Sequence, residues 1–152
     1  MLLSQMNYSS YKGQWILPGG ALEPMENPAE AAERETLEET GLVIKAQNLL
    51  AVRHKVFLEG KMDIYWVFLG LLESLQPQVS EKNNLPPEVK WPAEELICVK
   101  FWKIADALKD ESVRPLTREF IKLGVEMKDF QRWRLRENPQ FEGSDQFFIY
   151  SV

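Results

Sequence analysis

Residues 20–42, GALEPMENPAEAAERETLEETGL, hold seven acidic side chains in twenty-three positions, and the spacing of the last three constrains the chain more than any other feature. Glu35, Glu38 and Glu39 stand at i, i+3 and i+4, which on a helix projects their carboxylates from one face within a few ångströms of one another. Like charges that close repel. Two readings are open at this point: a freely solvated acidic face, or a cage for a divalent cation. Hard oxygen donors suit Mg²⁺ or Mn²⁺, which keep several waters and complete their coordination with substrate phosphates.

The flanking residues predict where the helix starts and stops. Pro18-Gly19-Gly20 cannot continue a helix, and Ala21-Leu22-Glu23-Pro24 reads as a short extended piece. Asn27 followed by Pro28 predicts an N-cap with proline at the first helical position, and Glu30 falls in the first turn, where the helix dipole favours an anion. Gly41 predicts the C-cap. Glu30, Arg34 and Glu38 form an i, i+4, i+8 ladder, which makes Arg34 an organiser of carboxylates rather than a substrate ligand.

The order Gly20, Glu26, Arg34-Glu35, Glu38-Glu39, Gly41-Leu42 resembles the signature of the Nudix hydrolases, Gly-x5-Glu-x7-Arg-Glu-U-x-Glu-Glu-x-Gly-U, with every fixed position present. Thr36 stands where an aliphatic residue is usual, and its methyl can still pack inward. The approach Trp15-Ile16-Leu17-Pro18-Gly19-Gly20 is also similar to the family's.

The resemblance implies an α/β fold, an α/β/α sandwich with a mixed β-sheet and a strand-loop-helix metal site, over a single domain of residues 1–152. It implies hydrolysis of a pyrophosphate bond in a nucleoside diphosphate linked to another moiety, such as a nucleoside triphosphate or a nucleotide sugar, by water attack on phosphorus. Mg²⁺ or Mn²⁺ would be held by Glu35, Glu38, Glu39 and a backbone carbonyl near Gly20. Glu95, and after it Glu94, would add an acidic residue or act as base, with Glu35 the other candidate base, while Glu26 would steady the loop with Arg34. For Glu94 and Glu95 the reading as surface charges before a strand stays equally open. A catalytically silent nucleotide sensor or interaction module is the alternative of another class, and the intact acidic triad argues against it. Leu58-Glu59-Gly60 lacks the proline or tyrosine that distinguishes the ADP-ribose and dinucleoside polyphosphate subgroups, which counts against both.

The remaining sequence narrows the setting. At 152 residues the chain suits one domain with a real core. Its net charge of −5 argues against broad nucleic-acid binding, leaving an RNA 5′ end as the nucleic-acid partner to consider. The lone cysteine, Cys98, suits a reducing cytoplasm and reads as a buried inert thiol. No apolar run is long enough to span a membrane. Tyr11, Trp15 and Arg53 are the candidate substrate-binding residues; Tyr65 and Trp66 are further candidates for base stacking, although each aromatic can equally belong to the core or a sheet. His54, the only histidine, cannot build a histidine metal site by itself.

Residues 1–5 read as a strand similar to one that in Nudix domains follows an earlier strand, so the family's first strand is expected to be missing, with a homodimer as one way to cover the gap. Residues 43–57 and 63–72 predict an antiparallel pair, the second strand covered on both faces. Residues 75–93 predict a long functional loop, 94–102 a strand, 104–109 and 113–123 two helices. The extension 128–152 carries Trp133 among Arg132, Arg134 and Arg136, an arrangement suited to stacking a base and holding phosphate, although packed or solvated side chains are the commoner outcome. It ends in an apolar strand, residues 146–151, that must be paired in a sheet or across a dimer.

Overall fold

The computed structural model describes residues 1–73, 91–126, 134–136 and 146–151. The elements run β1 (Leu2–Met6), a 3-10 turn (Ser9–Tyr11), β2 (Trp15–Ile16), α1 (Pro28–Thr40), β3 (Ile44–Val56), β4 (Met62–Leu72), β5 (Leu96–Phe101), α2 (Ile104–Ala107), α3 (Pro115–Glu126), β6 (Arg134–Arg136) and β7 (Gln146–Ser151). They form two sheets of order β2-β1-β5 and β4-β3-β7-β6, whose strand pairs are antiparallel. A parallel bridge joins Trp15 to Val113.

The β3–β4 hairpin follows from two β-branched and aliphatic runs joined at Glu59-Gly60, with Gly60 at φ 79° in the turn. Strand alternation turns Val67 into the core and points Met62, Ile64 and Trp66 outward. Those three are 68%, 55% and 40% exposed, so β4 is covered on one face and not on both as the sequence predicts. An antiparallel hairpin can bury one face alone, and α3 supplies that cover: Phe120 and Leu123 pack on Leu50, Ala51 and Val67.

Turned the other way, α3 places Ile121 with Leu3, Trp15, Ala107 and Val113 under the three-stranded sheet. Pro115 at its start has no N–H to leave unsatisfied, which suits a first helical position. The helix thereby joins the cores of the two sheets, and Met6, Leu42, Leu96 and Val99 fill the space behind α1.

The terminal strand is not a free edge. β7 pairs with β3 from Ala51↔Ser151 to Val56↔Gln146, and β6 covers its other side. The side chains of Arg132, Trp133, Arg134 and Arg136, and residues 74–90 of the expected functional loop, lie outside the described residues. Among the described residues no helix is long and apolar enough to cross a membrane.

Candidate active site

The helix that carries the acidic cluster is built as its capping residues require. Asn27 Oδ1 accepts from the amides of Ala29 and Glu30 at 3.0 and 3.1 Å, and Glu30 returns the contact by accepting from the Asn27 amide at 3.0 Å. Gly41, at φ 68°, ends the helix by donating to the Leu37 carbonyl at 2.7 Å. The capping box turns Glu30 back to the Asn27 amide, and Arg34 pairs with Glu26, Glu35 and Glu38 instead of with Glu30 as the ladder predicts.

Arg34 instead reaches back to the loop. Its guanidinium donates to both Glu26 oxygens at 2.8 and 3.0 Å, to the Ala21 carbonyl at 2.9 Å, to Glu35 at 2.9 Å and to Glu38 at 3.1 Å. A planar fork with five donors can serve several acceptors at once; a lysine could not. The hydrogen bonds to Glu26 and Glu35 hold Arg34 firmly charged, and those from Arg34 draw Glu26 below the usual carboxylate range. Residues 20–26 are thus tied down onto α1.

The acidic triad diverges. Glu39 is 9% exposed and accepts from the Gly19 amide at 3.2 Å and from the Ser4 hydroxyl at 3.5 Å. Burial raises its pKa to about 7, with the charges of Glu35 and Glu95 adding to the rise. Glu35 lies against Gly20, where an added Cβ would stand 2.4 Å from the carboxylate, so only glycine leaves it this position. Glu38 has a 59% exposed side chain and pairs with Arg34. Positions 38 and 39 point about 100° apart around the helix, and Arg34 draws Glu35 and Glu38 to itself. Among the described residues no group of three or more acidic, histidine or cysteine side chains stands ready to hold an ion.

Other elements approach the same place. Glu95 enters on the segment before β5, which Asn7 holds by donating its amide to the Glu95 carbonyl at 2.8 Å and its side chain to the Ala93 carbonyl at 2.7 Å. Tyr8 follows β1; partial burial and then the charges of Glu39, Glu95 and Glu35 raise its phenol pKa. Tyr65 places its hydroxyl 3.2 Å from where a Cβ on Gly19 would sit. Burial first and the Glu39 charge second raise the Tyr65 phenol, while Arg53 and Arg114 oppose the shift. Arg53 is buried, pairs with Asp63 across the β3–β4 ladder and lies 5.3 Å from the Tyr65 ring centroid. Tyr11 is partly exposed and carries the Arg114 guanidinium.

Two candidates have other positions. Trp15 is 7% exposed and packs edge-on against Trp102 with ring centroids 5.2 Å apart, so it is a core residue and offers no free face to a base. Its neighbours in sequence alternate in no way that signals this, because the burial comes from Val113 and Ile121 far along the chain. Glu94 is exposed. Cys98 is half-buried, its thiol donating to Gln5 Oε1 at 3.4 Å, and desolvation raises its pKa, which keeps it protonated and unreactive.

The NUDIX domain profile matches residues 1–123, most of the chain. The chain belongs to the Nudix family. Diphosphoinositol polyphosphate phosphohydrolase 2 of Homo sapiens is 50% identical over 101 residues, 66% of this chain and 49% of the relative. Nudix hydrolase 6 of Arabidopsis thaliana is 40% identical over 88 residues, 56% of this chain and 30% of the relative. The chain therefore spans half or less of the length of these curated relatives. The MutT protein from Methanosarcina mazei Go1 has a similar structure, with a TM-score of 0.61 at 26% identity and 84% of each chain covered.

Nudix enzymes generally use a divalent metal, and the residues of this Nudix box fit one. Glu39 is a buried carboxylate whose pKa is raised partly by two further carboxylates, Glu35 and Glu95, so a cation among them relieves a repulsion already present. The donors are hard oxygens without a histidine or thiolate among them, as Mg²⁺ or Mn²⁺ require. Thr36, at the usually aliphatic position of the box, is buried with its hydroxyl donating to the Ala32 carbonyl at 2.7 Å, so the polar group costs the core little.

Proposed function

We propose that this chain hydrolyses a pyrophosphate bond in a nucleoside diphosphate linked to another moiety, or in a related diphosphate, by water attack on phosphorus. The observation that carries this reading is the placement of two carboxylates of the Nudix box on one loop, with buried Glu39 accepting from the Gly19 amide and Glu35 lying against Gly20. Glu35, Glu38, Glu39 and the Gly20 carbonyl would hold Mg²⁺ or Mn²⁺. The cation would neutralise phosphate charge and acidify a bound water. Glu95, approaching from a segment outside the helix, is suited to accept the proton of the attacking water, with Glu35 the other candidate. Arg34 and Glu26 keep the loop that carries Gly20 closed on the helix. A single cysteine kept protonated by burial is in keeping with a reducing cytoplasm.

The relative named for diphosphoinositol polyphosphate widens the panel beyond nucleotides. Phosphate release from nucleoside triphosphates, nucleotide sugars and a diphosphoinositol polyphosphate, assayed with Mg²⁺ for wild type and Glu39→Gln, tests the reading. Turnover of a panel member that collapses in the variant is the expected result. Tight binding without turnover by wild type would overturn it in favour of a sensor.

A further inference from the structure

The face of Tyr11 is already occupied. Arg114 places its guanidinium carbon 3.8 Å from the ring centroid, compared with 5.3 Å for Arg53 over Tyr65. Arg114 is half-buried and has no carboxylate partner among the described residues. Arg53, the other arginine near Tyr65, is paired with Asp63.

The backbone of Arg114 stands beside the loop that meets the acidic cluster. Its amide donates to the Trp15 carbonyl at 3.1 Å, the Trp15 amide donates to the Ser112 carbonyl at 2.8 Å, and Val113 bridges Trp15. Trp15 and Ile16 then lead through Leu17 and Pro18 to Gly19, whose amide contacts Glu39. Tyr11 belongs to the same short turn as Tyr8, whose phenol responds to Glu39, Glu95 and Glu35. The Tyr65 hydroxyl lies beside Gly19 on the segment of residues 15–19, within electrostatic reach of both Glu39 and Arg114. A carboxylate of α1 and, among the described residues, an arginine without a carboxylate partner are thus both tied to this segment.

A guanidinium held this close over a ring is fixed in place by it and keeps N–H donors at its edge, a fork that matches two phosphate oxygens. We propose that Arg114, held over the ring of Tyr11, grips a substrate phosphate other than the one attacked, and that Tyr11 is a positioning residue acting through it. The inference rests on the hydrolysis proposed at Glu35, Glu39 and Glu95, and it narrows the substrate to polyphosphorylated molecules that reach Arg114 as well as the acidic cluster. It also assigns Tyr11 a role different from stacking a base, since the arginine takes a face that a base would use.

Calorimetric binding of inorganic tripolyphosphate with Mg²⁺, alongside KM and kcat for whichever panel substrate is turned over, tests this on Arg114→Ala, Arg114→Lys, Tyr11→Ala and Tyr11→Phe, each first checked for an unchanged thermal midpoint. Arg114→Ala is expected to weaken tripolyphosphate about tenfold and to raise KM by a similar factor with little change in kcat. Tyr11→Ala should lose several-fold in the same direction, Arg114→Lys should fall between wild type and alanine because it keeps charge without the fork, and Tyr11→Phe should rescue the loss by keeping the ring. Unchanged tripolyphosphate affinity and KM in Arg114→Ala would overturn the proposal. A loss in Tyr11→Phe as large as in Tyr11→Ala would overturn the positioning role by assigning the effect to the hydroxyl. If wild type turns over no panel member yet Arg114→Ala still weakens tripolyphosphate tenfold, the anion grip stands and the proposed hydrolysis fails.

Discussion

The amide of Gly19 donates to the carboxylate of Glu39 at 3.2 Å, joining a loop to the last turn of a helix twenty residues later. Because Glu39 is buried and crowded by Glu35 and Glu95, that one hydrogen bond only partly offsets a pKa raised to about 7.

The first consequence is a pH dependence of the metal-free protein. A carboxylate whose folded pKa lies near 7 instead of the ordinary 4.5 binds its proton more tightly when folded. Its stabilisation is therefore complete below about pH 4.5 and lost as pH rises through about 7, a swing of at most about 3 kcal/mol. Urea midpoints in EDTA across this range should fall more steeply for wild type than for Glu39→Gln. Added Mg²⁺ should restore the wild type above pH 7 and do progressively less below it, as protons compete for the ligand.

Gly20→Ala should separate catalysis from folding. The new Cβ would meet the Glu35 carboxylate at 2.4 Å, and Arg34 holds that carboxylate from the other side. The end of a flexible side chain can move, so the thermal midpoint should change by only a few degrees. Mg²⁺-dependent turnover should fall on the order of a hundredfold, since a displaced ligand misplaces the reacting groups.

Asn27→Ala removes two hydrogen bonds to helix amides and leaves only the Glu30 half of the capping box, because Glu30 accepts from the backbone amide of residue 27. The expected cost is about 1 kcal/mol in chemical denaturation. A loss confined to activity, with the denaturation curve unmoved, would contradict this account of the helix start.

Trp15→Ala distinguishes a core role from a substrate role. The ring packs against Trp102, Leu3, Val113 and Ile121, so its loss should cost about 3–5 kcal/mol of stability. A base-stacking residue would instead raise KM and leave the denaturation midpoint in place.

Local chemistry made α1 legible. Asn27, Pro28 and Gly41 bound the helix because capping and a left-handed C-cap depend on residues within one turn. The same locality explains one error: Glu30 satisfies both the helical ladder and the capping box, and the orphan amide of Asn27 takes it. The strand pattern of residues 63–72 likewise predicts the strand and its antiparallel partner, but not that one face stays open.

The sequence by itself determined the box, its helix and the oxygen-rich donor set, since these depend on residue type and on spacings of a few positions. Only the tertiary structure decided that Glu39 is buried against Ser4 and Gly19 while Glu38 faces solvent, that Glu95 comes within electrostatic reach, and that Arg114 lies on Tyr11. Those contacts join positions far apart in the chain, and periodicity within one element carries no information about which distant element will cover it. Desolvation follows from that cover, so the raised pKa of Glu39 is a property of the packed sheets and helix together and of no shorter segment.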